Sequence, residues 1–414
     1  GHKPRVFGQP FYAGWGRTLD EVPSARRGRE LTRAQLIAAA MILYPTWYDP
    51  KSDRLCEIED VIAILAARAR AWREDRHGYV GLGMRRWKRP FFKRAFGSVV
   101  PMKFANSPQA AARKAARTDR KVIAWGTSQA PEGALRVEDG FLRSRGLGAD
   151  LVAPLSLSVD RQGNYFDPSQ RTDLDDLIAG SVDLPVAEIE RAERLVARIL
   201  DAGLTKYNMD EETVQMVEGS SNVLVIGQVE DDASVLRGAG TARTNLDLLR
   251  AARAARPDAR ILWKPHPDVE ASLRKGAISK EDLNGLADVA LDKIGALGAI
   301  DLADELWTIT STMGFEALLR GTPVTCTGMP FYAGWGLTHD LTPPPVHRGQ
   351  GPRIIGLAHA ALIGNPRYFD PETGEPMSPE QAVDYLVRMK DQPVQTTRLS
   401  LLQRLMKRTV GLRP

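Results

Sequence analysis

Four short polar clusters in this sequence hold the residue types that group-transfer chemistry requires. Three follow apolar runs: Gly227-Gln-Val-Glu-Asp-Asp-Ala-Ser234 after Ile226, Lys264-Pro-His-Pro-Asp268 after Trp263, and Thr310-Ser-Thr-Met-Gly-Phe-Glu316 after Ile309. Lys264 and His266 are cations suited to a phosphate. Thr310, Ser311 and Thr312 open a helix whose free N–H groups favour an anion. Glu316, one turn further on, is placed to accept hydrogen bonds from ribose hydroxyls, and Gln228 and Pro267 belong to the same group. Ser311 or Thr312 as a mere helix cap, and His266 as filling of a polar turn, is the plainer reading of each cluster alone. Three such clusters at adjacent strand ends favour a binding cleft. The fourth cluster, Arg136-Val-Glu-Asp-Gly-Phe-Leu-Arg-Ser-Arg-Gly-Leu-Gly148, sets Glu138 and Asp139 beside Arg143 and Arg145. If the two parts of the chain close on each other, Glu138 and Asp139 face Asp231 and Asp232. Opposed carboxylates are the equipment of glycosyl transfer with retention, one attacking the anomeric carbon and the other handling the hydroxyl proton. Closure also raises a carboxylate pKa by desolvation, as a general base needs.

The pattern around these clusters supplies a scaffold for them. From Lys121 onward, short apolar runs alternate with longer amphipathic segments, the arrangement of an α/β domain. Strands are expected at Lys121–Trp125, Asn222–Ile226, Arg260–Trp263, Glu305–Ile309 and from Pro323, and helices at Leu184–Ala202, Asn245–Ala255 and Gly314–Leu319. Two halves then meet near Leu204. Parallel sheets of this kind bind ligands beyond the carboxyl ends of their strands, which is where the clusters fall.

A long-range repeat sets the organisation. Gly8–Asp20 returns as Gly328–Asp340, with Pro-Phe-Tyr-Ala-Gly-Trp-Gly common to both, and the likeness runs on through Arg27-Gly28 and Arg348-Gly349 to Glu59 and Glu380. Solenoid units recur many times at roughly 20–50 residues, whereas this segment recurs once at a far greater distance. The expectation is the tail of one large module followed by the whole of a second. The expected divisions are residues 3–98 for that tail and a basic linker, 99–204 and 205–345 for the two halves, and 346–414 for a helical tail. Helices are expected at Thr32–Leu43 and Glu57–Trp72. The apolar face of Leu36, Ile37, Ala40 and Leu43 is expected to be covered.

At 414 residues, 43% of them apolar, the chain can fill sizeable cores. No stretch approaches the roughly 20 apolar residues of a membrane span, and no signal-peptide pattern is seen at the start. Cys56 and Cys326 make no metal-ligand spacing, and a cytoplasmic location is expected. The net charge of +5 is unevenly spread, with one basic-aromatic run at Arg85–Arg94 and a basic-apolar one at Leu401–Arg413. These read either as solvated segments or as surfaces that rest on an anionic membrane. No nucleic-acid motif accompanies the charge, so nucleic acid is not an expected partner. Asp173-Leu-Asp175 precedes a helix instead of ending a strand, so it is not read as a metal site.

Val137–Gly148, Gly227–Asp232, Lys264–Asp268, Gly314–Leu318 and the doubled Pro-Phe-Tyr-Ala-Gly-Trp-Gly together resemble the KpsC-type capsular polysaccharide β-Kdo transferases, which are tandem proteins. The resemblance implies a GT-B-like fold, two Rossmann-like halves facing a cleft with helical N- and C-terminal extensions, peripheral to the inner membrane. It implies transfer of Kdo from CMP-β-Kdo to a Kdo-containing glycolipid, a Kdo oligosaccharide on a phosphatidylglycerol anchor, with the 2→7 linkage favoured over 2→4. Capsule assembly proteins are possible partners. By motif position Asp232 is the nucleophile with Asp231 the second choice, Glu138 is the acid/base, Lys264 and His266 hold the CMP phosphate, and Ser311, Thr312 and Glu316 lie on the nucleotide-holding helix. Arg143 or Arg145 is expected to hold the sugar carboxylate in a bidentate pair. CMP leaves with a weakly basic phosphate, so positive charge suffices and no cofactor or metal is expected. The alternatives are another GT-B enzyme, sialyltransferase-like or a sugar-nucleotide epimerase, and a non-catalytic capsule-assembly scaffold.

Overall fold

The computed structural model describes residues 2–25, 27–145, 152–208, 221–271, 274–292 and 294–390, so the expected basic-apolar stretch at 401–413 lies outside the described residues. Contacts divide the chain into two units, residues 1–66 and 67–414. The larger unit has the GT-B-like architecture, with two sheets around a cleft. Its second half is an all-parallel sheet whose six strands, numbered in chain order, lie 3-2-1-4-5-6. Asn222–Ile226 is strand 1 and Glu305–Thr308 strand 4. Both run buried on two faces, as the unbroken Val-Leu-Val-Ile and Leu-Trp-Thr sequences require of a parallel sheet. The order reverses between these neighbours, and their carboxyl ends splay apart into a ligand crevice. The helix Asn245–Ala255 that follows strand 1 begins in a Thr244/Asp247 capping box.

The first half is a mixed sheet of seven strands, parallel through Lys103–Phe104, Tyr79–Leu82, Lys121–Trp125 and Leu135–Asp139 and antiparallel from there through Ser156–Asp160, Pro366–Phe369 and Pro376–Met377. Two expected boundaries are corrected by it. Residues 79–82 are an internal strand of this sheet, and the larger unit begins at Ala67, so the segment assigned to a preceding tail up to 98 contributes to the first half. The C-terminal segment is more than a helical tail, because Pro366–Phe369 returns as an internal strand, second from the edge, and Pro379–Lys390 packs on the helix Val186–Asp201. Arg191 and Arg198 pair with Glu380 and Asp384 across that packing.

The basic-aromatic run is amphipathic. In the helix Arg89–Phe96, Phe91, Phe92 and Phe96 are buried in the first-half core while Lys93 and Arg94 are exposed. These three phenylalanines therefore face the core and not the surface. Among the described residues no helix is long and apolar enough to cross a membrane. Beside this core, Arg367 makes a two-pronged pair with Asp75 at 2.7 and 2.6 Å and lies 4.8 Å from the Phe96 ring centroid. Replacing Arg367 with Leu leaves a buried carboxylate without its partner. Such losses cost about 3–5 kcal/mol. Urea unfolding should show a loss of stability of that size as a lower midpoint at unchanged slope, and an unchanged midpoint would mean that Asp75 is solvated by other means.

The repeat is built twice with one geometry. Gly14 N–H donates to Asp20 at 3.0 Å and Gly334 N–H to Asp340 at 2.8 Å, and Trp15 and Trp335 each donate to the carbonyl of Phe11 or Phe331. Each Trp sits between two glycines at φ between 76° and 84°, a conformation that excludes other residues at low cost. Arg27 and Arg348 close the turn on the carbonyls of Pro10 and Ala13 and of Pro330 and Ala333. Burial differs between the copies. Phe331 and Tyr332 are 3% and 0% exposed, Phe11 and Tyr12 64% and 40%. The expected helices at Thr32–Leu43 and Glu57–Trp72 appear as Arg33–Ile37 continued by a wider turn to Leu43, and as Ile58–Asp75. Ile37 and Leu43 are exposed, so the covered face expected of them is not formed within the small unit.

Candidate active site

A cavity of about 450 Å³ opens where the strand order reverses. Gln228 and Thr310 join its two sides: Gln228 Oε1 accepts from Thr310 N–H at 2.7 Å and Gln228 Nε2 donates to Thr310 Oγ1 at 3.0 Å. Gln228 lines the cavity, but its amide is occupied in holding the two loops at fixed separation. Ser311 caps the helix Thr312–Leu319 by accepting from Met313 N–H, and Tyr332 OH donates to Ser311 O at 2.5 Å. The Tyr332 ring reaches that carbonyl because residue 314 is glycine; a Cβ there would run into the phenol. The repeated motif thus sets the angle at which the helix start, with its outward N–H groups, meets the cavity. Thr312 lines it beside Ser311.

Lys264 ends strand 2, is 4% exposed and lines the wall with His266 and Pro267. His266 Nδ1 accepts from Asp268 N–H at 3.1 Å, so the ring proton sits on Nε2. Burial pushes the imidazole pKa below its ordinary value. The expectation of a cationic His266 is corrected accordingly: at neutral pH it presents an uncharged Nε2–H donor.

The acids divide by position. Asp232 lines the cavity and caps the helix Ala233–Gly238, with Oδ1 accepting from Ser234 N–H at 3.0 Å and from Ser234 OH at 2.7 Å. Asp231 is absent from the cavity wall and pairs with Arg274 at 2.9 Å. Glu138 and Asp139, at the end of strand Leu135–Asp139, line the opposite wall. Burial and the adjacent Asp139 push the Glu138 carboxyl up to about 7. Burial acts on Asp139 too, but Arg143 and Lys88 outweigh it and hold its pKa below the ordinary value. One wall therefore carries a fixed anion next to a carboxyl poised between forms.

The arginines were expected to hold a substrate carboxylate, and neither lines the cavity. Arg143 is 1% exposed and donates from Nε to Asp139 Oδ2 at 2.7 Å, while Arg145 donates to Met389 O. Gly146–Gly148 of the same motif lie outside the described residues. Glu316 lines the cavity as expected, yet its Oε1 accepts from Lys206 N–H at 2.6 Å, so that oxygen holds the connector between the halves. Three cations escaped the sequence reading, one of them Arg274, which lines the cavity while paired with Asp231. Lys206 lines the cavity from that connector, in a stretch without a motif. Lys88 stands 3.1 Å over the Trp125 ring and acts on both Asp139 and Glu138, and burial pushes its pKa down to about 8. The density of Arg and Lys at 85–94 was its visible signal.

Comparison with known proteins agrees with this architecture. Residues 113–364 match the family described as capsule polysaccharide biosynthesis protein. The chain is 38% identical over 405 residues to the capsule polysaccharide modification protein LipA of Neisseria meningitidis serogroup B, covering 93% of this chain and 57% of that protein. It is 41% identical over 263 residues to the lipopolysaccharide-processing protein LpsZ of Rhizobium meliloti, covering 62% of this chain and 59% of that one. The chain thus spans little more than half the length of these curated relatives. Among solved structures, the Thermosulfurimonas dismutans KpsC β Kdo 2,7 transferase superposes with a TM-score of 0.63 at 30% identity, over 76% of this chain and 99% of that one. The β Kdo 2,4 transferase of the same protein gives 0.61 at 28%, over 75% and 98%. A family match over more than half of the chain, together with these relatives and this fold, means that the chain belongs to the capsule polysaccharide biosynthesis family and is a KpsC-type member of it.

Proposed function

We propose that the larger unit is a retaining β-Kdo glycosyltransferase that moves Kdo from CMP-β-Kdo to a Kdo oligosaccharide on a phosphatidylglycerol anchor, forming a 2→7 linkage. The observation that carries the reading is the presence of Asp232 and Glu138 in one cavity with a helix N-terminus, His266 and Lys264. In this reading the helix start at Thr312, the His266 Nε2–H and Lys264 receive the CMP phosphate. Asp232 attacks the anomeric carbon, and the C–O bond to phosphate breaks with its electron pair leaving on CMP. Glu138 then takes the proton of the acceptor hydroxyl as that oxygen displaces Asp232, so configuration is retained. The leaving group is already weakly basic, and no metal or cofactor is needed in this scheme. Arg85, Arg86, Lys93 and Arg94 are exposed and support a peripheral contact with an anionic membrane surface on the cytoplasmic side.

The test is incubation with CMP-β-Kdo and a synthetic Kdo acceptor in the presence of EDTA, followed by NMR of the product. It reads activity, anomeric configuration and linkage together. Binding of CMP without any product would favour a scaffold, and turnover of a CMP-sialic acid in its place would favour the sialyltransferase-like alternative. The nucleotide site has its own check. His266→Ala removes a hydrogen-bond donor to a charged phosphate, which is expected to cost about 1.5–3 kcal/mol of CMP affinity. Calorimetry should show that loss, whereas an unchanged Kd would move the phosphate elsewhere in the cavity.

A further inference from the structure

The connector between the halves is clipped from both sides. Lys206 N–H donates to Glu316 of the second half at 2.6 Å, and Lys206 O accepts from the N–H groups of Arg143 and Ser144 of the first half at 3.2 and 3.3 Å. Thr205 and Asn208 close the turn on each other: Thr205 N–H donates to Asn208 Oδ1 at 2.9 Å and Asn208 N–H to Thr205 Oγ1 at 3.1 Å. Asn208 adopts φ 46°, and its side chain donates to Ser144 O. So many ties to one backbone segment fix the direction in which residue 206 projects, and its side chain forms part of the cavity wall. Among the described residues the ammonium makes no hydrogen bond or ion pair with the protein; the Tyr207 ring centroid lies 5.5 Å away. Its charge is felt by Glu138 and Asp139 on one wall and by His266 on the other. Burial opposes the charge, and the Asp139 anion acts in its favour.

We propose that Lys206 binds the carboxylate of a 2-keto-acid sugar and is the residue that restricts the donor to sugars of that class. The assignment rests on the transferase reading given above. In such a sugar the carboxylate is bonded to the anomeric carbon itself, so its cation must stand beside the reacting carbon, within reach of the base. Lys206 lines the cavity from the connector and its charge reaches Glu138 and Asp139, whereas Lys264, His266, Arg274 and the Thr312 helix start all belong to the second half. Both expected arginines are engaged elsewhere, which leaves Lys206 as the cavity cation on the connector side.

The experiment compares wild type with Lys206→Met and Lys206→Arg, reading turnover of CMP-β-Kdo and calorimetric binding of CMP alone. Lys206→Met should lower kcat/KM about 10- to 100-fold, the loss of one charge-assisted contact, with the CMP Kd within about 3-fold of wild type. Lys206→Arg should recover part of the loss, and retained CMP binding shows that each variant is folded. A CMP affinity that falls by the same factor as kcat/KM would place Lys206 on the phosphate and overturn the assignment. An unchanged kcat/KM in Lys206→Met would overturn it while leaving the transferase reading intact. A wild type that binds CMP yet never turns over the Kdo donor would overturn that reading, and the assignment with it.

Discussion

Asp232→Asn is expected to abolish transfer, by roughly 10⁴-fold or more, as removal of a covalent nucleophile does. The substitution is a clean one for a structural reason. Asp232 caps the helix Ala233–Gly238 through Oδ1, and Asn caps about as well as Asp, so the loop and the CMP site should survive. CMP affinity measured by calorimetry should therefore stay near that of wild type while turnover disappears. Asp231→Asn is the matched control. It breaks an exposed pair with Arg274, an interaction contributing about 0–1 kcal/mol, and should leave activity within a few-fold. Reversed behaviour of the two variants would make Asp231 the nucleophile, and activity in both would remove the covalent step from the mechanism.

Glu138 should show itself in the pH profile. A buried carboxyl resists ionisation, and the neighbouring anion of Asp139 adds to that resistance while Lys88 and Lys206 oppose it. With its pKa pushed up to about 7, the group is mostly protonated at pH 6 and mostly ionised at pH 8. The base form is the active one, so kcat should climb as pH rises through about 7 and level off above it. Glu138→Gln should remove that limb and lower the rate about 10²- to 10⁴-fold, the usual contribution of a positioned base. Because Gln keeps the size and one acceptor of Glu, packing on strand Leu135–Asp139 should persist. A wild-type profile flat from pH 5.5 to 8.5 would assign the proton to another group.

Much of the fold was legible because its signals are local. Unbroken apolar runs marked the buried parallel strands, Asn245–Ala255 began and ended where expected, and the polar clusters after Ile226 and Ile309 fell at the crevice that this strand order creates. Asp232, His266 and Lys264 were singled out because they follow strand ends, where a residue has little freedom over which end of the sheet it faces. Glu138, by contrast, was read in a loop cluster, and the structure puts it on a strand. The amino-acid sequence by itself also determined the doubled turn, since two left-handed glycines around a Trp leave few conformations open. Only the tertiary structure decided which cations meet the cavity. Arg143 and Lys206 are alike in charge, but Arg143 is drawn onto Asp139 within its own half, while Lys206 is aimed by hydrogen bonds from both halves at once. The return of Pro366–Phe369 beside Ser156–Asp160, and the burial of the aromatics between the basic residues at 85–94, were settled the same way. Each depends on surfaces brought together from distant parts of the chain, and a local pattern of residue types specifies that a face must be covered without specifying what covers it.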